Sequence, residues 1–212
     1  NNVDVRNNDA EYGGGVAIIN GDTDILMQNT RVLNNLADYG GGIYCSGGNS
    51  SIVMTENSGL VANVANGNPN GPGSLGDGGG IYISSCYFGL RTGSANGGAI
   101  GITSNIAFGS GGGIYAESNA TILLNGHRTC NALNCTGDDA HPANITGNIA
   151  GFTTTFGYGG GIYAYNANLT VYAGLIEGNS TGFAGGGIYL LLSPLKVGRL
   201  HKACWSQEHC NY

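Results

Sequence analysis

The stretch Gly40-Gly41-Gly42-Ile43-Tyr44 decides the fold, because close versions of it return throughout the 212-residue chain. Each version places an aliphatic residue directly after a run of small residues, mostly glycines. The other versions are Gly13-Gly14-Gly15-Val16-Ala17, Gly78-Gly79-Gly80-Ile81-Tyr82, Gly111-Gly112-Gly113-Ile114-Tyr115, Gly159-Gly160-Gly161-Ile162-Tyr163, Gly185-Gly186-Gly187-Ile188-Tyr189 and a shorter Gly97-Gly98-Ala99-Ile100. A unit that recurs in this way is typical of a solenoid.

A second signature, Asn-x-Ala or a variant of it, precedes the glycines. It occurs as Asn8-Asp9-Ala10, Asn35-Leu36-Ala37, Asn63-Val64-Ala65, Asn105-Ile106-Ala107, Asn148-Ile149-Ala150 and the degenerate Asn179-Ser180-Thr181. Inserted loops near 66–77 and 151–158 separate the two signatures in two repeats. Asparagine tolerates the left-handed backbone of a turn, and its amide can bond to an equivalent amide. We therefore expect a turn and an amide ladder at this position.

Alternating apolar and polar residues fill the rest of each repeat. Examples are Asp24-Ile25-Leu26-Met27, Ser51-Ile52-Val53-Met54, Ala120-Thr121-Ile122-Leu123 and Asn168-Leu169-Thr170-Val171. A period of two predicts short strands, and frequent glycines disfavour helices. Each repeat thus contains two or three short strands.

Stacking is the only way in which such a repeat can bury its apolar face, since about 26 residues cannot form a core alone. The sequence predicts an all-β, right-handed parallel β-helix of roughly six coils over residues 1–190, with an inserted loop at 125–143 and a C-terminal cap at 191–212. A β-sandwich would instead need hairpin turns at one phase of the repeat, whereas Asn20-Gly21 and Asn125-Gly126 do not recur at one phase. Because side chains alternate along a strand, the glycine strands predict an inner column and an outer ladder. The inner column is Ile43, Ile81, Ile114, Ile162 and Ile188, and the outer ladder is Tyr44, Tyr82, Tyr115, Tyr163 and Tyr189.

Composition excludes several functions. The formal net charge is −6, with only seven Lys and Arg residues, so a nucleic-acid partner is not expected. No apolar run approaches the length of a membrane span. Asn1 falls within a repeat, so we expect the sequence to be part of a longer protein.

Six cysteines and several glycosylation motifs indicate an extracellular location. An even cysteine count favours disulfides, with Cys130 and Cys135 stapling one loop, Cys204 and Cys210 clipping the C-terminal segment, and Cys45 and Cys86 remaining. Free thiols in a reducing cell are the alternative. Asn-x-Ser/Thr motifs make candidate acceptors of Asn49, Asn119, Asn134, Asn144 and Asn168, while a sixth motif begins at the ladder residue Asn179.

The Asn-x-Ala and Gly-Gly-Gly-Ile-Tyr pattern, together with Gly97-Gly98-Ala99-Ile100, resembles the repeats of bacterial surface β-helix proteins of the polymorphic outer-membrane-protein and autotransporter-passenger class. The resemblance covers about residues 8–190. It implies a pectate-lyase-like fold, a place at the cell surface and a structural or adhesive role.

Three kinds of site are candidates. The outer tyrosines Tyr44, Tyr82, Tyr115, Tyr163 and Tyr189 could stack on sugars or contact a protein partner. Glu11, Asp38 and Asp77 precede three successive glycine strands and could bind Ca²⁺; otherwise they are exposed turn acids, and no other cofactor is expected. Loop 125–143 contains His127, Asp138 and Asp139, a weak match to the acids of polysaccharide hydrolases.

These features predict an extracellular structural or adhesive module. Such a module could be a segment or subunit of a surface fibre. Its expected partners are a polysaccharide or protein at the cell surface, or a second copy bound end to end. A polysaccharide lyase or glycoside hydrolase, and a non-catalytic glycan-binding module, remain alternatives. Lysine and arginine are nearly absent from the strands, which weighs against a lyase base.

Overall fold

The computed structural model describes residues 2–68, 75–91, 100–125, 143–153 and 156–198. Within these ranges all regular structure is β, in 24 short strands that form four six-stranded sheets. Nothing in the described part is a helix long and apolar enough to cross a membrane. The chain passes through the four sheets in the same order in each coil, so we number them in that order.

The strands of each sheet come from six successive coils. The first sheet contains β1 (Val3–Arg6), β5 (Thr30–Leu33), β9 (Gly59–Val61), β13 (Ile100–Thr103), β17 (Ala143–Thr146) and β21 (Leu175–Glu177). The second contains β2 (Asp9–Tyr12), β6 (Leu36–Tyr39), β10 (Val64–Ala65), β14 (Ile106–Ala107), β18 (Ile149–Ala150) and β22 (Ser180–Thr181). The third contains β3 (Val16–Ile19), β7 (Ile43–Ser46), β11 (Ile81–Ser84), β15 (Ile114–Glu117), β19 (Ile162–Tyr165) and β23 (Ile188–Leu191). The fourth contains β4 (Asp24–Gln28), β8 (Ser51–Thr55), β12 (Tyr87–Arg91), β16 (Thr121–Asn125), β20 (Asn168–Ala173) and β24 (Leu195–Val197).

Every strand pairs in parallel with the equivalent strand of the next coil, which confirms a parallel β-helix of about six coils. Its handedness stays a prediction. The sequence suggested two or three strands per repeat, whereas each coil has four, because the strands of the second sheet can be as short as two residues. Strand β24 pairs with β20 and lies inside the segment 191–212 that we predict as a cap.

The core is a set of aliphatic columns that run along the solenoid axis. The predicted inner column is confirmed in the third sheet, where Ile43, Ile81, Ile114 and Ile162 are at most 1% exposed. Ile188, in the last coil, is only partly buried. A second column faces it from the first sheet and consists of Val32, Leu60, Ile102 and Ile145, none of which is exposed. Neighbouring coils therefore bury each other's apolar side chains, as stacking requires.

An asparagine ladder closes the turn between the first and second sheets. Asn35, Asn63, Asn105 and Asn148 are at most 1% exposed. The amide Nδ2 of each donates to the Oδ1 of the next, over 2.8–3.0 Å, and to a backbone carbonyl oxygen of the preceding coil. Each Oδ1 also accepts the backbone N–H of the preceding asparagine. The predicted amide ladder is thus present, with its buried polar atoms satisfied.

The left-handed turn lies one residue earlier than the sequence suggested. Positive φ, between 52° and 64°, occurs at the residue before each ladder asparagine. These residues are Asn7, Asn34, Ala62, Ser104, Gly147 and Gly178. The ladder asparagines themselves do not have positive φ. Our expectation of left-handed backbone at Asn-x-Ala was wrong by one position.

The glycines of the repeat serve two purposes, a left-handed turn and close backbone approach. The first has positive φ, as at Gly40 (+61°). A side chain on the third would strike both the neighbouring backbone and the asparagine ladder, since a Cβ on Gly42 would lie 2.6 Å from the Gly80 oxygen and 2.9 Å from Asn63 Nδ2. Close backbone approach therefore explains why the motif is longer than a simple turn would need.

The short repeat at 97–100 does not belong to the glycine strands. Ile100 begins β13 and pairs with Ala143 in the first sheet, not in the third. Residues 97–99 lie outside the described residues. Similarity to the glycine motif therefore does not by itself place a residue in the third sheet.

Candidate functional site

The outward tyrosines of the third sheet form one continuous stack. Ring centroids are 5.0 Å apart for Tyr44 and Tyr82, 4.9 Å for Tyr82 and Tyr115, and 4.9 Å for Tyr115 and Tyr163. Tyr163 and Tyr189 continue the stack at 5.7 Å, and the interplanar angles of the four pairs run from 3° to 19°. In-register parallel pairing places these rings directly above one another.

This stacking uses the ring faces that a sugar would need. Tyr82 and Tyr115 each have a ring on both faces, and Tyr12 adds a tilted contact to Tyr44 at 4.9 Å. All five tyrosines are partly buried. Sugar binding by these residues stays a prediction, and it would have to use hydroxyl edges rather than ring faces.

One carboxylate bridges two rings of the stack. Glu117 lies on β15, two residues after Tyr115 and on the same outer face. Tyr82 donates its hydroxyl to Glu117 Oε1 over 2.7 Å, and Tyr115 donates to Oε2 over 3.2 Å. Burial raises the pKa of both phenols, and the bonded or nearby carboxylates raise it further. These phenols therefore stay protonated at physiological pH.

Asp77 is a second acid beside this stack. Its Oδ1 accepts the backbone N–H of Ser110 over 2.6 Å. Burial raises the pKa of Asp77 to about 6, against the opposing effect of that hydrogen bond, and the charge of Glu117 raises it further. Such a shift is typical of a carboxyl that is held away from water near a like charge.

The three predicted Ca²⁺ ligands do not share one site. Glu11 and Asp38 follow Ala10 and Ala37, which pair in register. Asp77 falls one position later, where its carbonyl oxygen accepts the N–H of Gly40 just as the Tyr39 oxygen accepts that of Gly13. Among the described residues no group of three or more His, Cys, Asp or Glu side chains could hold a metal ion. Asp77 is thus out of line with Glu11 and Asp38, because a one-residue offset turns a side chain to the other side of a strand. Ca²⁺ binding by these acids stays a prediction.

A disulfide joins Cys45 to Cys86 inside the core. Cys45 is 0% exposed and Cys86 is 3% exposed. Cys45 lies on β7 of the second coil, and Cys86 lies in the turn between β11 and β12 of the third, so the bond links neighbouring coils. Cys130, Cys135, Cys204 and Cys210 lie outside the described residues, and their pairing stays a prediction.

The predicted glycan acceptors differ in accessibility. Asn49, Asn119 and Asn168 are exposed, Asn144 is partly buried on β17, and Asn134 lies outside the described residues. Asn179 Nδ2 donates to the Ile145 oxygen, so this amide is engaged in the ladder and is the poorest acceptor. Glycosylation itself stays a prediction.

The proposed hydrolase loop is nearly all outside the described residues. Of loop 125–143, only Asn125 at the end of β16 and Ala143 at the start of β17 are described. His127, Asp138 and Asp139 are among the remainder, so the enzyme alternative stays a prediction.

A row of exposed phenylalanines forms a surface that we did not predict from the sequence. We name Phe108, Phe152, Phe156 and Phe183 the phenylalanine strip. They lie in the connections from the second to the third sheet in the fourth, fifth and sixth coils. Phe152, Phe156 and Phe183 are 53%, 65% and 64% exposed. Phe108 packs on Phe152 at 5.8 Å between centroids, and Phe183 packs on Tyr158 at 5.2 Å.

The signal for this strip was present in the sequence. Four of the five phenylalanines follow the Asn-x-Ala position of the last three repeats, and the fifth, Phe88, is fully buried. The connecting stretches 108–113, 151–161 and 182–187 contain no charged residue. Exposed aromatic side chains that recur on one side of a solenoid, without charge between them, are typical of a contact surface.

Comparisons with known proteins identify no relative. No protein-family model, no curated protein and no solved structure matches this chain.

Proposed function

We propose that this chain is an extracellular structural and adhesive β-helix module, a segment of a surface fibre. It contacts a polysaccharide or protein at the cell surface through the phenylalanine strip. The observation that carries the proposal is the exposure of Phe152, Phe156 and Phe183, each more than half exposed, whereas no other aromatic residue that the structure describes is more than 40% exposed. Ring faces left open in this way can stack on a sugar or pack against an apolar side chain.

The buried disulfide supports the extracellular part of the proposal. The Cys45–Cys86 bond lies in the core, where reduction would leave two unpaired thiols between stacked coils. Disulfides of this structural kind form and persist in oxidising compartments. A location outside the cell is compatible with this bond and with the weakly charged composition.

Regular stacking supports the structural part. Asparagine amides, tyrosine rings and aliphatic columns each repeat from coil to coil, so most of the recurring side chains hold neighbouring coils together. A solenoid of this kind presents extended faces. Its contact surface therefore follows the long axis across several coils, as the phenylalanine strip does.

Bead adhesion tests the proposal. Beads coated with the wild-type chain are expected to bind to cells of the natural source, and the double variant Phe152→Ser, Phe183→Ser is expected to lose most of that binding. Leu26→Ser is the matched control, because Leu26 is 67% exposed but lies on the fourth sheet. All three chains must give the same thermal unfolding curve.

Equal adhesion of wild type and the double variant would exclude the strip as the contact surface. Where the wild-type chain binds, pretreating the cells with glycosidase or with protease identifies the class of partner. Loss of binding after glycosidase indicates a polysaccharide, and loss after protease indicates a protein.

A further inference from the structure

Glu117 is the only carboxyl in its row of the third sheet. The residues in register with it are Ile19, Ser46, Ser84, Tyr165 and Leu191. It therefore introduces one proton acceptor beside an otherwise regular tyrosine stack. Its two oxygens accept from two phenols whose rings are 4.9 Å apart and nearly parallel, at 8°.

This geometry suits the loss of an electron together with a proton. A phenol with a raised pKa does not ionise first, so its oxidation near neutral pH requires a base that takes the proton as the electron leaves. Glu117 Oε1 is within 2.7 Å of the Tyr82 hydroxyl and fills that role. A positioned general base of this kind speeds proton transfer by about a hundredfold or more.

We propose that Tyr82, Glu117 and Tyr115 form a one-electron oxidation site, at which an outer-sphere one-electron oxidant of the peroxidase class generates a tyrosyl radical. The electron leaves the Tyr82 ring and reduces the oxidant by one unit. The phenolic proton moves from Tyr82 to Glu117 Oε1, which gives a neutral tyrosyl radical and a neutral carboxylic acid. This activity goes beyond the structural and adhesive function proposed above.

The second phenol lets the radical move along the stack. An electron passes from the Tyr115 ring to the Tyr82 radical across the stacked pair. At the same time the Tyr115 proton moves to Glu117 Oε2, and the proton on Oε1 returns to the Tyr82 oxygen. The exchange leaves total charge unchanged and needs no further reagent. Tyr44 and Tyr163 continue the stack on either side, at 5.0 Å and 4.9 Å.

Photochemical oxidation of the full chain tests the site. The oxidant is tris(bipyridyl)ruthenium(III), generated by flash and quench, and the readouts are the tyrosyl radical signal in electron paramagnetic resonance and its rate of formation in H₂O and D₂O. Glu117→Gln keeps an acceptor oxygen but cannot take the proton. We expect it to slow radical formation by about tenfold or more and to reduce the solvent isotope effect. Glu177→Gln, on the exposed end of β21, is the control and is expected to behave as wild type.

A second pair of variants tests the site even if Glu117→Gln does not fold. Tyr82→Phe with Tyr115→Phe keeps both rings in the stack but removes the phenols, and we expect it to lose most of the radical yield. Tyr87→Phe with Tyr172→Phe removes the same number of phenols from the fourth sheet and is expected to retain the yield. An unchanged isotope effect in Glu117→Gln, or equal yields from the two double variants, would overturn the proposal.

Discussion

At the scale of single residues, buried amides and glycines determine how closely the coils approach. The asparagine ladder is the clearest case, because each internal amide serves three coils through both of its polar atoms. Asn105 Oδ1 accepts two N–H groups of Asn63, and its Nδ2 donates to Asn148 and to the Leu60 oxygen. Removing one such side chain leaves several buried polar atoms without partners.

Asn105→Ala should therefore destabilise the fold strongly. Each buried group left unpaired costs about 1–3 kcal/mol, so we expect the free energy of unfolding to fall by about 3 kcal/mol or more. The control is Gln28→Ala, which removes an exposed bond to Glu56 and should change stability by less than about 0.5 kcal/mol. Urea unfolding followed by circular dichroism measures both. Equal losses would mean that the ladder is no more important than a surface pair.

Asp77 predicts a dependence of stability on pH. Because its pKa is about 6 in the folded chain and 3.8 ordinarily, the folded state holds the proton more tightly. The stability that Asp77 contributes is present at low pH and is lost as the pH rises through about 6. Asp77→Asn should thus gain stability relative to wild type between about pH 4 and pH 7, by up to about 3 kcal/mol. Parallel pH curves for the two chains would contradict this assignment.

At the scale of elements, the tyrosine stack ties the third-sheet strands together along the axis. Tyr115 stacks on Tyr82 and on Tyr163, so this ring is covered by rings from the two neighbouring coils. Aromatic pairs contribute about 0.5–1.5 kcal/mol each beyond the area they bury. We therefore assign the stack first to stability.

Tyr115→Ala should lower the free energy of unfolding by about 3 kcal/mol, since it removes two ring contacts and leaves a gap in the stack. Tyr115→Phe keeps both contacts and loses only the hydroxyl bond to Glu117, so its loss should stay within about 1 kcal/mol. Chemical denaturation of both variants gives the comparison. If alanine and phenylalanine cost the same, the stack does not stabilise the coils.

The glycine strands could be predicted from the sequence, whereas the shortest strands could not. Alternation in Gly-Gly-Gly-Ile-Tyr predicted both the buried Ile114 and the outward Tyr115. Successive side chains on a strand point to opposite faces, so the apolar residue faces the core and its neighbour faces outward. Strands such as β10 and β14 have two residues and show no period at all. Ile100 lies in the first sheet although a sequence like the glycine motif precedes it, because local similarity does not reveal a residue's place in the coil.

The candidate sites were harder to predict than the fold. The offset between Asp38 and Asp77 depends on the exact register of a turn, which sequence spacing does not give. The phenylalanines recur after Asn-x-Ala in the sequence. Whether they form a contact surface or part of the core depends on their exposure to solvent, which the sequence does not give. Only the structure distinguishes the 0% exposed Phe88 from the 64% exposed Phe183.

At the scale of the whole molecule, four sheets of six strands give a rod whose surfaces have different properties. The third sheet is covered by stacked tyrosines, and the connections that lead into it carry the phenylalanine strip. Successive parallel strands lie about 4.8 Å apart, so the strip extends over three coils along the axis. This arrangement favours binding along an extended partner over binding in a closed pocket.

Immunogold electron microscopy of intact cells from the natural source tests the central claim most directly. With antibodies raised against this chain, we expect gold particles on the outer surface, aligned along extended fibres. Gold particles confined to the cell interior would contradict an extracellular structural and adhesive role.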